Sequence, residues 1–164
     1  MRISKAFTEE HFEIIEALAR RTVPDFYASF FERATAEYLV ENGHTAAALA
    51  VQMGKGARHF LIEAEGLPVG YFSLAPEEGG VLLSHFYVLS DYRGRGLGKL
   101  AMAFIDREVT AMGARKIELF VLRENIAAVG LYRKNGYVVA GEVLTRLGNG
   151  AVLEDYLMRK AIEY

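Results

Sequence analysis

The run Asp91-Tyr92-Arg93-Gly94-Arg95-Gly96-Leu97-Gly98-Lys99 is the densest collection of residues able to do chemistry in this 164-residue chain. Its three glycines let the backbone approach a ligand closely. The apolar spacing of Leu97, Leu100, Ala101, Phe104, Ile105 and Met112 predicts that the run opens a helix. The first N–H groups of a helix have no intrahelical acceptor and lie at the positive end of its dipole. With Arg93, Arg95 and Lys99 beside them, they make an anion site suited to a phosphate or pyrophosphate. A tight glycine turn with solvated arginines would use the same residue types. Two familiar phosphate loops are excluded. A Walker loop needs Ser or Thr after Gly-Lys, and here Leu100 follows Gly98-Lys99. The dinucleotide fingerprint needs a glycine where Lys99 stands, and Glu118, at a tempting distance for a ribose acid, falls in mid-strand.

Other chemistry is sparse. With no cysteine there is no thiolate ligand, Cys nucleophile or disulfide framework. His11, His44, His59 and His85 lack metal-ligand spacing, so no metal is expected. Ser84 and His85 are no nucleophile–base pair, because adjacent strand residues point to opposite faces. The net charge of −2 conceals a split: residues 92–134 carry nine basic against four acidic side chains, a net of +5, and the rest carry ten against seventeen, a net of −7. Such a split points to an anionic partner at the loop and hints at a cationic one elsewhere. Because the basic residues coincide with the loop and no basic recognition helix stands out, no nucleic-acid partner is expected.

The loop resembles the acyl-coenzyme A loop of the Gcn5-related N-acetyltransferases (GNAT), whose pattern is Gln/Arg-x-x-Gly-x-Gly/Ala. Arg93, Gly96 and Gly98 match it position for position. The strand ending Phe86-Tyr87-Val88 precedes the loop at the family's distance. Downstream, Asn125-x-x-Ala128-x-x-Leu131-Tyr132-x-x-x-Gly136-Tyr137 is similar to the family's second signature. The resemblance covers Val69 to Arg159 well and the helical N-terminal third loosely. Tyr132 lies seven residues after Asn125, two turns on and about 10 Å along the same helix face. A helix cap for Asn125 and a half-buried core position for Tyr132 are the bland alternatives.

The resemblance implies direct transfer of an acetyl group from acetyl-CoA to an amine, with no metal. An alkylammonium of pKa about 10.4 must lose a proton before it attacks. The thioester oxyanion then needs a fixed donor, and the thiolate benefits from a proton. By resemblance, the Phe86 N–H faces the thioester oxygen and Val88 the pantetheine arm. Gly94, Arg95, Gly96, Leu97, Gly98 and Lys99, with Arg93, hold the pyrophosphate. Asn125 contacts the cofactor near the pantetheine, Tyr132 protonates the sulfur, and Lys134 or Arg133 meets the 3′-phosphate. The general base is where the chain departs from the family. Leu82 and Phe120 stand where relatives carry a glutamate, leaving Glu118, His85 or ordered water as candidates.

For the acceptor, the resemblance points to the first helices and the last hairpin, here Asp25, Phe26, Tyr27, Phe30, Phe31, Glu32 and Glu154, Asp155, Tyr156. Aromatic and acidic residues suit a cation through cation–π and carboxylate contacts, and Phe26, Tyr27, Phe30 and Glu154 are the substrate candidates. The layout is most like the bacterial diamine/polyamine acetyltransferase branch, which implies a polyamine or other small cationic amine. Acetylation of protein N-termini, of the kind acting on ribosomal proteins, and a non-catalytic acyl-CoA-binding regulatory module are the alternatives.

The elements that must position these residues follow from periodicity and punctuation. Met1–Ala6 is a strand, and Thr8 caps a helix carrying Phe12, Ile15 and Ala19. Pro24 is expected to interrupt it. Phe26–Val40 and Thr45–Met53 read as further helices. His59–Ala64 and Val69–Ala75 are strands joined through Glu65-Gly66-Leu67-Pro68, followed by a strand at Val81–Leu89. After the loop helix, stopped at Gly113, come a strand at Lys116–Val121 and a helix at Ile126–Lys134. A hairpin of Tyr137–Thr145 and Ala151–Arg159 closes the chain across Gly148-Asn149-Gly150. This order predicts an α/β (α+β) class: one domain over residues 1–164, a mixed, mostly antiparallel sheet with one parallel βαβ pair, and helices on both faces. The N-terminus lacks the apolar core of a signal peptide, and the longest apolar run, Ala46–Val51, is far short of the ~20 residues of a membrane helix. A cytoplasmic protein with no membrane partner is expected, with homodimerisation through an exposed C-terminal strand.

Overall fold

Thr8 sets the first boundary. Its hydroxyl accepts from the His11 N–H at 3.1 Å, and His11 Nδ1 accepts from the Thr8 N–H at 3.3 Å, a reciprocal cap. That cap ends β1 (Arg2–Ala6) and starts α1 (Glu9–Tyr27), whose first turn carries Glu9 and Glu10 at the dipole's positive end. The computed structural model describes all residues from 1 to 164. Then come α2 (Arg33–Gly43), α3 (Ala46–Gly54), β2 (Arg58–Ala64), β3 (Leu67–Glu77) and β4 (Gly80–Val88). A 3-10 turn at Ser90–Tyr92 leads to α4 (Leu97–Ala111), β5 (Lys116–Leu122), α5 (Ile126–Lys134), β6 (Val138–Arg146) and β7 (Val152–Ala161).

The seven strands form one sheet in the order β1-β2-β3-β4-β5-β7-β6. Pairing is antiparallel at β1–β2, β2–β3, β5–β7 and β7–β6, and parallel at β4–β5, as the order of elements predicts. The chain divides into two compact units, residues 1–75 with 84–97 and residues 76–83 with 98–164.

In the first unit, the α1 stripe Phe12, Ile15, Leu18, Ala19 and Val23 is buried with Leu61 of β2, Tyr71 of β3, Val40 of α2 and Leu49 of α3. Register places Leu61 opposite Tyr71 on that face, and Phe60 opposite Phe72 on the other. The Phe60 and Phe72 rings stack at 4.8 Å and both are fully buried, so both faces of these strands are covered. Each such side chain contributes about 1.5–3 kcal/mol of burial. In the second unit, Ala101, Met102, Ile105 and Val109 form the buried stripe of α4, while β5 and β7 bury Ile117, Leu119 and Met158. Lys160 Nζ reaches Asp106 at 2.6 Å, tying β7 to α4.

Three expectations need correction. Pro24 does not interrupt α1, which continues to Tyr27. A proline so near a helix end forgoes one bond, to the Arg20 carbonyl, and burial of Val23 beside it holds the turn. The break falls instead at residues 28–32, where the Phe30 and Phe31 N–H groups both return to the Tyr27 carbonyl at 2.9 Å. The expected helix Phe26–Val40 is therefore two elements, with Phe26 and Tyr27 ending α1 and Phe30 in the turn. The C-terminal strand offers no free edge either. β7 lies between β5 and β6, so the exposed edge belongs to β6.

Candidate functional site

The glycine loop folds as its composition predicts. Gly94 and Gly96 take left-handed φ of 72° and 80°, a conformation that side chains resist, and open space surrounds the Cβ position of each. Helix α4 begins at Leu97, which is buried and anchors the turn, while Lys99 is exposed. Gly98 rests against Leu131 of α5, where an added Cβ would come within 3.6 Å. The two arginines differ. Arg93 donates from Nε to the Val88 carbonyl at 2.9 Å and pairs with Asp25 at 3.6 Å, so it braces the loop against the end of β4. Arg95 lies 5.0 Å over the Tyr92 ring, pairs with Glu65 at 3.6 Å and stays half-exposed.

The β4 strand supplies the next residues. Its parallel ladder with β5 spans only Val81–Leu82 against Ile117–Glu118, so residues 83–88 run on without a ladder partner on that side. Gly70 of β3 lies so close that an added Cβ would sit 2.6 Å from the Tyr87 carbonyl. Phe86 faces Phe72, and Val88 is buried. His85 and Tyr87 point to the opposite face, into a cluster that sequence reasoning missed. Tyr71 and His44 Nδ1 hydrogen-bond at 2.8 Å, the His44 and His85 rings lie 4.0 Å apart, and Tyr87 packs on both His44 and Tyr71. Three segments 14 to 27 residues apart supply it, and lone histidines and tyrosines carry no local signal of such a meeting.

Each candidate base has an environment that weakens it. Glu118 accepts from Lys116 Nζ at 2.7 Å and from Arg159 at 2.7 and 3.0 Å. These contacts, Lys116 foremost, hold its carboxyl at about 2, while burial and Glu118 itself push Glu77 upward. Such a carboxylate is a weak proton acceptor near neutrality. Burial lowers His85 to about 4, its Nε2 is buried without a hydrogen-bond partner, and burial with the neighbouring His85 holds His44 well below the ordinary imidazole value. Both imidazoles are neutral near pH 7, and His85 is a weak base too.

Asn125 caps α5, its Oδ1 accepting from the Ala128 N–H at 3.1 Å, and Tyr132 is buried two turns later with its ring 5.7 Å from Tyr137. Arg133 and Lys134 are exposed in the last turn of α5. Among the acceptor candidates, Phe26 and Tyr27 are half-buried and join the cluster, with Tyr27 and Tyr87 hydroxyls 3.4 Å apart and Phe26 packed edge-on to Tyr87. Phe30 sits in the turn after α1. Glu154 is half-exposed and held by Arg123 at 2.7 Å, so its charge is already matched. No three His, Asp or Glu side chains come together as a metal site would require, and no helix is long and apolar enough to cross a membrane.

Comparison with known proteins adds a family to this geometry. The model of the acetyltransferase (GNAT) family matches residues 15–137, drawn from both compact units. The uncharacterized N-acetyltransferase YdgE of Bacillus subtilis is 35% identical over 66 residues, 40% of this chain and 41% of that protein. The spermidine N(1)-acetyltransferase of Escherichia coli is 30% identical over 90 residues, 53% of this chain and 48% of that one. The chain thus spans less than half the length of either. Among solved structures, the PaiA N-acetyltransferase of Thermoplasma acidophilum, in complex with coenzyme A, superposes with a TM-score of 0.80 at 18% identity, covering 98% of this chain and 99% of that one. At that identity the likeness is one of fold.

Proposed function

The chain belongs to the GNAT acetyltransferase family, and on that premise we propose that it moves an acetyl group from acetyl-CoA directly to a primary amine, specifically a polyamine or other small cationic amine. The loop carries the reading. Two left-handed glycines with open space around them, a helix N-terminus directly after, and Arg95 and Lys99 nearby fit a pyrophosphate. Bound there, acetyl-CoA would supply the activated acyl group as a thioester.

The chain's own residues have these roles in the proposal. Gly94, Gly96, Leu97, Gly98 and Lys99 offer main-chain N–H groups to the phosphates. Arg93 braces the loop through Nε at the Val88 carbonyl and its ion pair with Asp25, and its remaining donors stand beside the phosphates. Phe86 N–H is the oxyanion donor and Val88 main chain the pantetheine contact, in the stretch of β4 that has left its ladder with β5. Asn125 keeps its cap while contacting the cofactor, Tyr132 gives its phenolic proton to the departing sulfur, and Lys134 meets the 3′-phosphate. Residues 1–164 act as one acetyltransferase domain in this reading, working in the cytoplasm.

The cationic acceptor rests on the chemistry of Phe26, Tyr27 and Tyr87, whose aromatic rings pack on one another. The likeness to a spermidine acetyltransferase agrees with it. An acceptor screen that follows thiol release tests it: spermidine, spermine or putrescine should outperform neutral amines and N-terminal peptides, and Tyr132→Phe should lower kcat about 100-fold or more. Preference for a peptide with a free N-terminus would replace the acceptor class, and thiol release from no amine would leave only an acyl-CoA-binding module.

A further inference from the structure

Strand β6 is one of the two edges of the sheet, and it leaves a row of main-chain groups without a strand beyond them. The Leu147 N–H donates to the Ala151 carbonyl at 2.8 Å, so Leu147 turns its main-chain groups inward, toward the β7 side of the hairpin. In an antiparallel ladder that direction alternates along the strand. Thr145 and Val143 therefore also face β7, while Glu142, Leu144 and Arg146 turn their N–H and C=O groups outward. The register shift of β6 falls between Val139 and Gly141, which leaves residues 141–146 regular, and no proline interrupts them. Apolar side chains are bare on this strand, with Leu144 69% exposed and Val138 63%. Leu144 has Glu142 and Arg146 to either side of it on its own face, with Glu154 and Val152 of β7 alongside.

We propose that this edge is an interface with a second copy of the chain, β6 pairing antiparallel with β6 about a two-fold axis through Leu144. The charges select both the occupant and the register. With Leu144 opposite Leu144 of the partner subunit, Glu142 stands opposite Arg146 of the partner subunit, and Arg146 opposite the partner subunit's Glu142. All of these are pairs of outward-facing residues, so each pair exchanges two main-chain hydrogen bonds. Other axes fail. One through Glu142 opposes two carboxylates, and one through Arg146 opposes two guanidinium groups. One through Val143 sets Glu142 against Leu144 and runs Arg146 into the irregular stretch at Ala140. Glu142 meets Arg123 through one oxygen at 3.4 Å and its side chain stays 63% exposed, which leaves it open to a second cation. The sheet's other edge, β1, offers no such match to itself, since its charges Arg2 and Lys5 are both basic. Pairing through β6 joins two seven-stranded sheets into one and covers the Leu144 side chains. It uses no residue of the glycine loop or of α5, so it goes beyond the acetyl-transfer reading and does not depend on it.

Sedimentation velocity of the wild type from about 1 to 100 μM, with the same series on charge variants, tests the pairing. The wild type should shift toward twice the monomer mass as concentration rises. Arg146→Glu sets carboxylates against carboxylates and should raise the dimer dissociation constant about 10-fold or more. Adding Glu142→Arg restores opposite charges in exchanged order and should bring the constant back to within about threefold of wild type. Arg123 keeps its contact with Glu154 at 2.7 Å in that double variant. Because the chain has no cysteine, Leu144→Cys gives a second readout. Mild oxidation should link two copies through it, since directly opposite residues of such a pair lie about 5.5 Å apart at Cα, within disulfide reach. Val138→Cys, similarly exposed but about 40 Å from its symmetry mate, should not cross-link. A monomer at every concentration overturns the proposal, as does a dimer indifferent to Arg146→Glu or not recovered by the second change. Equal cross-linking at the two positions, or species that keep growing with concentration as open edge-to-edge stacking would, overturns it too.

Discussion

The glycine loop and the histidine–tyrosine cluster beneath β4 do opposite things with polar groups. Residues 90–99 present theirs outward: Gly94, Arg95, Gly96 and Lys99 are exposed around the start of α4. His44 and Tyr71 are buried and bonded to each other, His85 Nε2 is enclosed, and both imidazoles are kept neutral by burial. A site for an anion can be assembled from ten consecutive residues, because glycine freedom and a helix dipole are local properties. The buried cluster instead needs partners from separate stretches of chain, here His44 just after α2, Tyr71 of β3, and His85 and Tyr87 of β4. Chemistry that looks equally plausible in the sequence thus divides into a ligand-facing set and a supporting set.

Breaking the outward-facing set should have the largest effect. Gly96→Val puts a β-branched residue at φ of 80°, a strain of about 1–3 kcal/mol, so the loop should rearrange. Coenzyme A affinity measured calorimetrically should fall about 10- to 100-fold while thermal stability changes little. Unchanged affinity would mean that the loop is only a turn.

The buried set should show itself in stability rather than affinity. The folded-state pKa values of His44, His59 and His85 are all depressed, so the unfolded chain takes up protons that the fold refuses. Stability from this source is fully present above about pH 6.5 and declines as pH falls from there through about 4. Replacing His85 by Leu should flatten the melting temperature over that range and silence the unpaired Nε2. An equally steep acid limb in His85→Leu would assign the loss to other groups.

The smallest effect is expected at Glu118. Its ion pairs with Lys116 and Arg159 mark it as part of the sheet's fabric, so Glu118→Gln should keep kcat within about threefold. A loss of 100-fold would instead make it the base.

These contrasts also explain what could be read from the chain. The loop, the Asn125 cap, the parallel pair and the two hairpins follow from glycine placement, capping residues and period-2 runs, all local signals. Pro24 misled because a proline near a helix end costs one bond, which packing at Val23 offsets. The internal position of β7 was hidden because strand order depends on how the last hairpin pairs with β5, a contact between residues about 40 apart. Glu118 looked like a free acid until register set Arg159 opposite it.

The central claim is that this chain acetylates a cationic amine with acetyl-CoA. Mass spectrometry of spermidine incubated with acetyl-CoA and enzyme tests it most directly, with Tyr132→Phe in parallel. The account predicts one acetyl group added per molecule by the wild type and a rate about 100-fold lower or more in the variant. Unmodified spermidine in the presence of an enzyme that binds acetyl-CoA would contradict it.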